Sequence, residues 1–432
     1  MSRAIYVRFR LSVFFIVLIV AGLGAVGCQK TDDLLDPQGD SETVLHAVYR
    51  SNDDFRANPV VIDGQAIEKE WGGQAVPYLN VRLSSDNGVG AAGPPKYVSL
   101  KAIYTDSDVF LLVRWVDDEA DELKDAMMYT GPDIPSPPGG CKPVLADERN
   151  WIRNPGGAYD EDQISIAFEA DAAGGPLGPY EEQGCKVACH SAETPQFGRL
   201  GYGRLDIWQW LAARTNPVRD LYDPTDNPTT PLYGIPGYLD DLLADANAGL
   251  AADPGFPSYR ANFEDGSGKP LYVYRDRSPD DPFAKPADPT HCFNRFDEKC
   301  RKNNGVSMAY IWREETSVTV APFGECDTLN LAPLPVGNEP RPWRNGDLVS
   351  GWYLTYPEGS RADVHGKAIF DTGVWTLEIG RRLDTGDGVH DVIFDTASGK
   401  RYVFTVAVMN NSSIEHLGSE PQMLVFDPKA GR

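Results

Sequence analysis

Two cysteines and a histidine lie close together near the middle of the chain, within Gly184-Cys185-Lys186-Val187-Ala188-Cys189-His190. A Cys-x-x-Cys-His motif marks covalent attachment of a c-type haem. Its two thiols add to the haem vinyl groups as thioethers, and its histidine is held beneath the ring and ligates the iron. The spacing here is one residue longer, but Cys189 and His190 remain adjacent. We therefore predict one haem c, bound by Cys185 and Cys189 and ligated by His190.

The sequence leaves other uses of these cysteines open. Cys185 and Cys189 are also suited to a disulfide, either with each other or with the remaining cysteines beyond residue 28, which are Cys141, Cys292, Cys300 and Cys326. A zinc site is less favoured, because no second clustered pair of ligands is present. The sequence does not determine how the four remaining cysteines pair.

An iron ligated by His190 needs a ligand on its other face. His416 is the first candidate, since it follows the predicted strand Tyr402–Val408 in a stretch that the sequence indicates is a loop. Met409 is the alternative, because a thioether ligand raises the reduction potential. Further options are Met127, Met128 and His365.

Trp208 and Trp210 are two residues apart. On a strand both side chains would face one side, whereas on a helix they would diverge. Both are candidates to contact the porphyrin, and filling the core is an equally good account of them. Arg204 and Arg214 are candidates to neutralise haem propionates, with ordinary ion pairs as the alternative.

The first 27 residues have the order of a secretory signal. Positive charge at Arg3, Arg8 and Arg10 precedes an uncharged apolar run, which ends in small residues directly before Cys28. This ending resembles a bacterial lipobox, so we expect Cys28 to be lipidated, with a short membrane anchor as the alternative. The prediction is a lipoprotein on the periplasmic side of the bacterial envelope, and the lack of an Asp after Cys28 favours the outer membrane.

The chain is strongly acidic, with a formal net charge of −23. Removal of the signal, which carries three Arg and no acidic residue, takes this charge to −26. Such a surface repels phosphate backbones, which argues against nucleic acid as a partner. It suits docking to a basic protein.

Most of the chain predicts short strands separated by turns. Runs of β-branched and aromatic residues at Val98–Tyr104 and Val109–Trp115 flank a polar hairpin loop, and Ile164–Phe168 alternates like a half-buried strand. The strands predicted in the last third are Met308–Arg313, Gly351–Tyr356, Lys367–Phe370, Val374–Arg381, Val392–Phe394, Tyr402–Val408 and Met423–Phe426. We therefore predict an all-β fold, an antiparallel β-sandwich with long loop insertions and a few short helices.

The predicted organisation has a signal over 1–27, a polar tether over 28–55 and a single β-sandwich domain over 56–432. Residues 171–300 are dense in Gly, Pro and Asp, which indicates a loop-rich insertion. Within it, Leu205–Arg214 and Tyr238–Leu250 are predicted to be short helices.

Five short stretches form a further pattern along the chain. They are Ile62-Asp63-Gly64 through Glu70-Trp71; Val98 through Asp118; Gly184 through Ser191; Asp206 through Trp210 with Ala213 through Pro217; and Trp375 through Leu383 with Phe404 through Asn411 and Glu415-His416. In order and spacing they resemble the haem-binding domain of ethylbenzene dehydrogenase gamma subunits and related dimethyl-sulfoxide-reductase-type cytochromes.

The resemblance implies a β-sandwich that holds haem between loops at one end and conducts electrons, in some members for a molybdenum enzyme. Members with a Cys/His attachment motif bind the haem covalently, and this chain is similar to them. Relatives often have a Trp-His-Trp-Lys pattern, in which Gln209 and Leu211 stand in place of His and Lys here. This sequence therefore lacks the His and Lys side chains that would take a ligand role in that pattern.

These observations predict an electron-transfer cytochrome and not an enzyme. The chain has no nucleophile elbow, phosphate-binding loop or His-Glu-x-x-His motif. The implied partner is a redox protein, either a molybdenum oxidoreductase or another cytochrome. The alternative is a carbohydrate- or ligand-binding β-sandwich lipoprotein with structural disulfides and no haem, because Asp63-Gly64 and Trp115-Val116-Asp117-Asp118 also resemble carbohydrate-binding sandwiches.

Overall fold

The computed structural model describes residues 43–67, 69–72, 75–90, 96–131, 151–170, 180–184, 204–216, 239–245, 249–263, 310–311, 345, 348–349, 351–355 and 357–429. Within these residues the structure is built mainly of strands, with the short helices α1 (Asn52–Ala57) and α2 (Tyr180–Gln183) and 3₁₀ turns at Pro155–Gly157 and Ser360–Ala362. Across the same residues, no helix has the length and apolar character needed to cross a membrane.

The strands follow one another along the whole described chain. In order they are β1 (Val44–Tyr49), β2 (Leu79–Val89), β3 (Lys96–Tyr104), β4 (Asp108–Val116), β5 (Met127–Tyr129), β6 (Trp151–Arg153), β7 (Gln163–Ala170), β8 (Arg204–Leu211), β9 (Asp240–Asp245), β10 (Gly249–Ala252), β11 (Gly255–Phe256), β12 (Tyr259–Ala261), β13 (Tyr310–Ile311), β14 (Leu348–Val349), β15 (Trp352–Thr355), β16 (Glu358–Gly359), β17 (His365–Asp371), β18 (Val374–Arg382), β19 (Arg401–Met409), β20 (His416–Ser419) and β21 (Gln422–Phe426).

One large sheet contains 13 of the described strands, in the order β10-β9-β8-β7-β19-β20-β2-β3-β4-β18-β17. Strands β1 and β21 pair with each other and join β3 to β19 on a second path. Most pairs are antiparallel, but β1 runs parallel to both β21 and β3. Three small sheets, β11-β16, β12-β15-β13 and β14-β5-β6, lie outside it.

The two ends of the large sheet face each other as the layers of a sandwich. Trp210 of β8 packs against Trp115 of β4 with ring centroids 5.7 Å apart, and against Trp375 of β18 at 4.8 Å. Arg381 of β18 forms a buried ion pair with Asp206 of β8, at 2.8 Å. The predicted all-β sandwich is therefore confirmed.

The core follows from strict alternation along the strands. In β19, Tyr402, Phe404, Val406 and Val408 all belong to the main apolar cluster. Their neighbours face the opposite side of the sheet, which is called the outer face below. The predicted hairpin is also confirmed, since β3 and β4 pair antiparallel around residues 105–107.

Several predicted elements are wrong. The predicted helix Leu205–Arg214 is strand β8 followed by a turn, because pairing with β7 on one side and β9 on the other holds this segment extended and buries both of its faces. The predicted helix Tyr238–Leu250 instead contains β9 and the start of β10, which pair antiparallel. The predicted strand Val392–Phe394 is buried, but it lies in a connecting segment without strand structure.

Two predicted boundaries also need correction. The tether was placed over 28–55, but β1 and α1 lie at 44–57 and β1 pairs with β3 and β21 inside the large sheet. The insertion predicted over 171–300 contributes β8, β9 and β10 to the same sheet. Strand β1 of the first stretch and strands β8, β9 and β10 of the second therefore belong to the sandwich.

Candidate functional site

The predicted haem attachment residues Cys185, Cys189 and His190 lie outside the described residues, as does the predicted lipidation site Cys28. The last described residue before the attachment cysteines is Gly184, which directly follows helix α2. The position of Gly184 therefore fixes where the chain enters the motif.

Helix α2 is held against the outer face of β7 and β19. The buried Tyr180 hydroxyl lies 2.9 Å from the carbonyl oxygen of Ala167, to which it donates, and 2.9 Å from Oγ1 of Thr405. Gly184 has φ +54°, and a Cβ there would lie 2.8 Å from Cγ2 of Thr405 and 3.2 Å from Cδ of Pro421. The chain thus enters the motif in close contact with this face, at a position where a side chain would collide.

The outer face carries a row of small residues across neighbouring strands. Ala407 of β19 stands opposite Ser165 of β7 and Gly418 of β20, and Gly418 stands opposite Ser84 of β2. All four are buried. Such a row forms a shallow trough, because none of its side chains rises far above the backbone.

Met409 and His416 border this trough. They occupy the next position after the pair Val408 and Leu417 on β19 and β20, so strand alternation directs them to the outer face. Both are buried, Met409 being 5% exposed and His416 2%. The two candidates for the second iron ligand therefore lie on adjacent strands, on the face that holds Gly184. His416 begins strand β20 and is not in a loop as predicted.

The ring of His416 is fixed in one orientation. Its Nδ1 lies 2.9 Å from the carbonyl oxygen of Ile414. A carbonyl only accepts, so Nδ1 carries the proton in the neutral ring and Nε2 carries the lone pair. This tautomer is the one in which histidine ligates a metal through Nε2, with its other nitrogen bonded to a backbone carbonyl.

A network of buried carboxylates holds the loop between Met409 and His416. Asn410 donates to Asp117 at 2.7 Å, and the backbone N–H of Asn411 donates to Asp162 at 3.2 Å. Asp162 also accepts from Trp375 Nε1 at 3.1 Å. Burial, and after it the negative charge of Asp117, raise the pKa of Asp162 to about 8. The loop is therefore tied to the ends of β4, β7 and β18.

Trp208 and Trp210 do not share the face of Met409 and His416. Both point into the core, where Trp208 packs against Phe168 at 4.7 Å and Trp210 packs against Trp375 at 4.8 Å. They do lie on one side of a strand, as the strand alternative anticipated. This placement favours a core-filling role over porphyrin contact.

The remaining candidates lie elsewhere. Met127 is buried and Met128 half-buried in the small strand β5, and His365 begins β17 and lines a cleft of about 190 Å³ with Arg381 and Phe110. Burial lowers the pKa of His365. This cleft is smaller than the roughly 300–1,000 Å³ of pockets that enclose organic ligands.

Arg214, a candidate for binding haem propionates, is occupied by another group. Its Nε bonds to the fully buried carboxylate of Glu161, which also accepts from the backbone N–H of Ala213 at 2.8 Å. The guanidinium lies over the rings of Tyr259 and Trp352, at 5.2 and 5.3 Å. An ordinary buried ion pair therefore accounts for Arg214, as the alternative anticipated. Arg204 is half-buried at the start of β8.

The Asp63-Gly64 and Trp71 pattern noted in the sequence forms a structural anchor. Glu378 of β18 accepts from Trp71 Nε1 at 2.7 Å, Gly64 N at 2.7 Å and Asp63 N at 3.0 Å. These bonds tie the segment before β2 to the outside of the β18 layer. The pattern therefore has a structural role in holding this segment against β18.

The fold and this face define a class, an all-β sandwich with a buried trough bordered by two potential iron ligands. The family model for ethylbenzene dehydrogenase matches residues 71–420, so the chain belongs to that family. No curated protein matches the chain significantly.

Two solved structures align with most of the chain at very low similarity. One is a family 9 carbohydrate-binding module from Caldicellulosiruptor kristjanssonii in complex with cellotriose, at 8% identity and a TM-score of 0.28, covering 90% of this chain and 95% of that one. The other is a putative carbohydrate-binding protein from Bacteroides uniformis, at 8% identity and a TM-score of 0.28, covering 89% and 99%. Values this low do not decide the ligand of this chain.

Proposed function

We propose that this protein is an electron-transfer cytochrome with one covalently bound haem c. Cys185 and Cys189 would form the two thioethers, and His190 would ligate the iron. The observation that carries the proposal is that Gly184, Met409 and His416 lie on one face of the sheet, with Gly184 against Thr405, four residues before Met409 on β19. His190 is six residues beyond Gly184, so the chain between them can span at most about 20 Å, enough to reach across neighbouring strands.

His416 would be the second axial ligand. Its Nε2 carries the lone pair because Nδ1 is bonded to Ile414, and the network around Asp117 and Asp162 holds the adjoining loop. Met409 is the alternative ligand on the neighbouring strand. The small residues of the trough would let a flat group approach the strands closely.

When bound, haem supplies a one-electron couple, and the potential of that couple depends on the axial ligands and on burial. The role of this chain is to bind, orient and bury that group. The family membership supports a role beside a redox enzyme, so the proposed partner is a molybdenum oxidoreductase or another cytochrome. The acidic surface favours a partner with a basic docking face.

The proposed location is the periplasmic side of the bacterial envelope, with lipid on Cys28 as the anchor to the outer membrane. This location would be compatible with thioether formation after export. Lipid analysis of the purified protein, with Cys28→Ser as the comparison, tests the anchor independently of the haem.

The decisive experiment is an absorption spectrum of the full chain, expressed with a haem-attachment system and followed by pyridine haemochrome analysis. We expect a Soret band, the c-type haemochrome spectrum and one haem mass per chain. The double variant Cys189→Ser/His190→Ala should lose about nine-tenths or more of the covalent haem. A colourless wild-type protein with Cys185 and Cys189 in disulfides would refute the proposal.

The second ligand is tested by a matched pair of variants. We expect His416→Ala to change the visible spectrum and the reduction potential while the covalent haem is retained, because only the distal bond is lost. Met409→Leu keeps the volume of the side chain and should leave both unchanged. The reverse result would assign Met409 as the ligand.

A further inference from the structure

Three buried aspartates converge at one point between the layers of the sandwich. Asp206 lies on β8, Asp241 on β9 and Asp391 in the segment between β18 and β19. One carboxylate oxygen of each lies within 4.8 Å of the others. Asp206 and Asp241 are fully buried and Asp391 is 3% exposed.

Asp241 has no hydrogen-bond partner for either carboxylate oxygen among the described residues. One carboxylate oxygen of Asp206 and one of Asp391 likewise have no hydrogen-bond partner among the described residues. A buried carboxylate without partners is costly, because its desolvation is not offset by hydrogen bonds. The three clustered residues thus carry four carboxylate oxygens that accept no hydrogen bond from the described part of the chain.

The local charge is also unbalanced. Arg381 bonds to Asp206 at 2.8 Å and lies 3.9 Å from Asp391, and it is the cation of the cluster among the described side chains. When all three are ionised, one guanidinium against three carboxylates leaves two negative charges in the interior. In the ion-free protein, burial and after it the charge of Asp206 therefore raise the pKa of Asp241. Asp253 lies close enough that its charge acts on Asp241, which adds to the excess.

We infer that Asp206, Asp241 and Asp391 form a calcium site that joins the two layers of the sandwich. The donors are oxygens only, which is the preference of a hard cation. Calcium takes oxygen ligands at 2.3–2.6 Å, so oxygens around a single ion lie within about 4.6–5.2 Å of one another. The separations in the cluster satisfy that limit. A divalent ion would also neutralise the two excess charges.

This site is independent of the haem. Asp206 and Asp241 face the core beside Trp208, because Asp241 pairs with Trp208 across β8 and β9, whereas Met409 and His416 lie on the outer face. Calcium here would tie β8 and β9 to the connection between β18 and β19. Its expected effect is on stability.

The test uses the full purified chain, stripped with EGTA and dialysed. Metal analysis of the protein before stripping should give about one calcium per chain. Titration calorimetry with CaCl₂ should show one site, and 5 mM CaCl₂ should raise the unfolding midpoint by about 5 °C, whereas MgCl₂ should raise it much less.

Two variants separate metal binding from a shared proton among the aspartates. Asp241→Asn should weaken calcium binding at least tenfold and abolish the calcium-induced rise. Glu378→Gln changes a buried carboxylate whose oxygens are already hydrogen-bonded, so it should retain the calcium response. Wild-type protein that binds no calcium would overturn the inference, and an Asp241→Asn variant more stable than wild type would then indicate a shared proton among the aspartates. If Asp241→Asn does not fold, the wild-type metal content and titration decide.

Discussion

Individual residues of the site were only partly accessible from the sequence. The motif around Cys185 and the ligand candidates His416 and Met409 are predictions from the sequence, because thiols and an adjacent histidine have a specific chemical use. The sequence could not show that Met409 and His416 are neighbours on adjacent strands. The register between β19 and β20 depends on the loop that connects them.

The aspartate cluster was missed for a similar reason. Asp206 stands in an inward-facing position of an alternating strand, which is a signal that the sequence does contain. Its partners Asp241 and Asp391 come from distant segments, and one of these was predicted to be a helix. A charged residue at a position where strand alternation predicts an apolar side chain is the signal that could have identified this cluster.

At the residue scale, Trp71→Phe tests the anchor on Glu378. The change removes the indole N–H that donates to Glu378 Oε1, so a buried acceptor is left unsatisfied at a cost of about 1–3 kcal/mol. Trp210→Phe is the matched control, since Trp210 is equally buried and its Nε1 has no hydrogen-bond partner among the described residues. Denaturant unfolding should show a larger loss for Trp71→Phe than for Trp210→Phe. Equal losses would mean that the hydrogen bond contributes nothing beyond packing.

At the scale of elements, alternation was a reliable guide wherever strands are long and form hairpins. Strands β3, β4, β7, β18, β19 and β21 follow their predictions within about two residues. The errors occurred at β8 and β9, where charged residues interrupt the apolar pattern. There the pairing of β7, β8 and β9 overrides local propensity, and such non-local contacts are not encoded in a short window.

The junction of β2 with β20 positions the candidate ligand His416. The pairing register shifts between Ser84 and Val89, and a Cβ at Gly88 would lie 1.9 Å from the carbonyl oxygen of His416. Only glycine permits this approach. Gly88 therefore allows the first residue of β20, His416, to lie in close contact with β2.

Gly88→Ala is accordingly expected to displace the start of β20. The overlap should lower the free energy of unfolding by about 1–3 kcal/mol, as overpacking does, and should perturb the visible spectrum through His416. Ser85→Ala changes an exposed residue of the same strand and should alter neither property. If the Gly88→Ala protein is destabilised but its visible spectrum is unchanged, the position of β20 does not affect the proposed iron site.

On the scale of the whole molecule, the sandwich contains many buried carboxyl groups. Burial raises the pKa of Asp162 and Glu378 to about 8, of Asp253 to about 7, and of Asp121 and Asp391 to about 6. These groups come from segments spread along the chain, from Asp121 to Asp391. They are therefore expected to act together in the response to pH.

Raised pKa values make the folded protein bind more protons than the unfolded chain between about pH 4 and pH 8. Stability must then fall as pH rises through this range, because proton release favours the unfolded state. We expect the unfolding midpoint of the EGTA-treated protein to be at least about 3 °C lower at pH 8 than at pH 5.5.

Repulsion among surface carboxylates also lowers stability as pH rises. The two midpoints should therefore be measured in 0.5 M NaCl, where exposed charges are screened. Asp162→Asn should reduce the slope, since it removes one titrating group while retaining an acceptor for Trp375. A midpoint that rises between pH 5.5 and pH 8 would show that these carboxyls are ionised in the folded protein, stabilised by cations or by donors beyond the described residues.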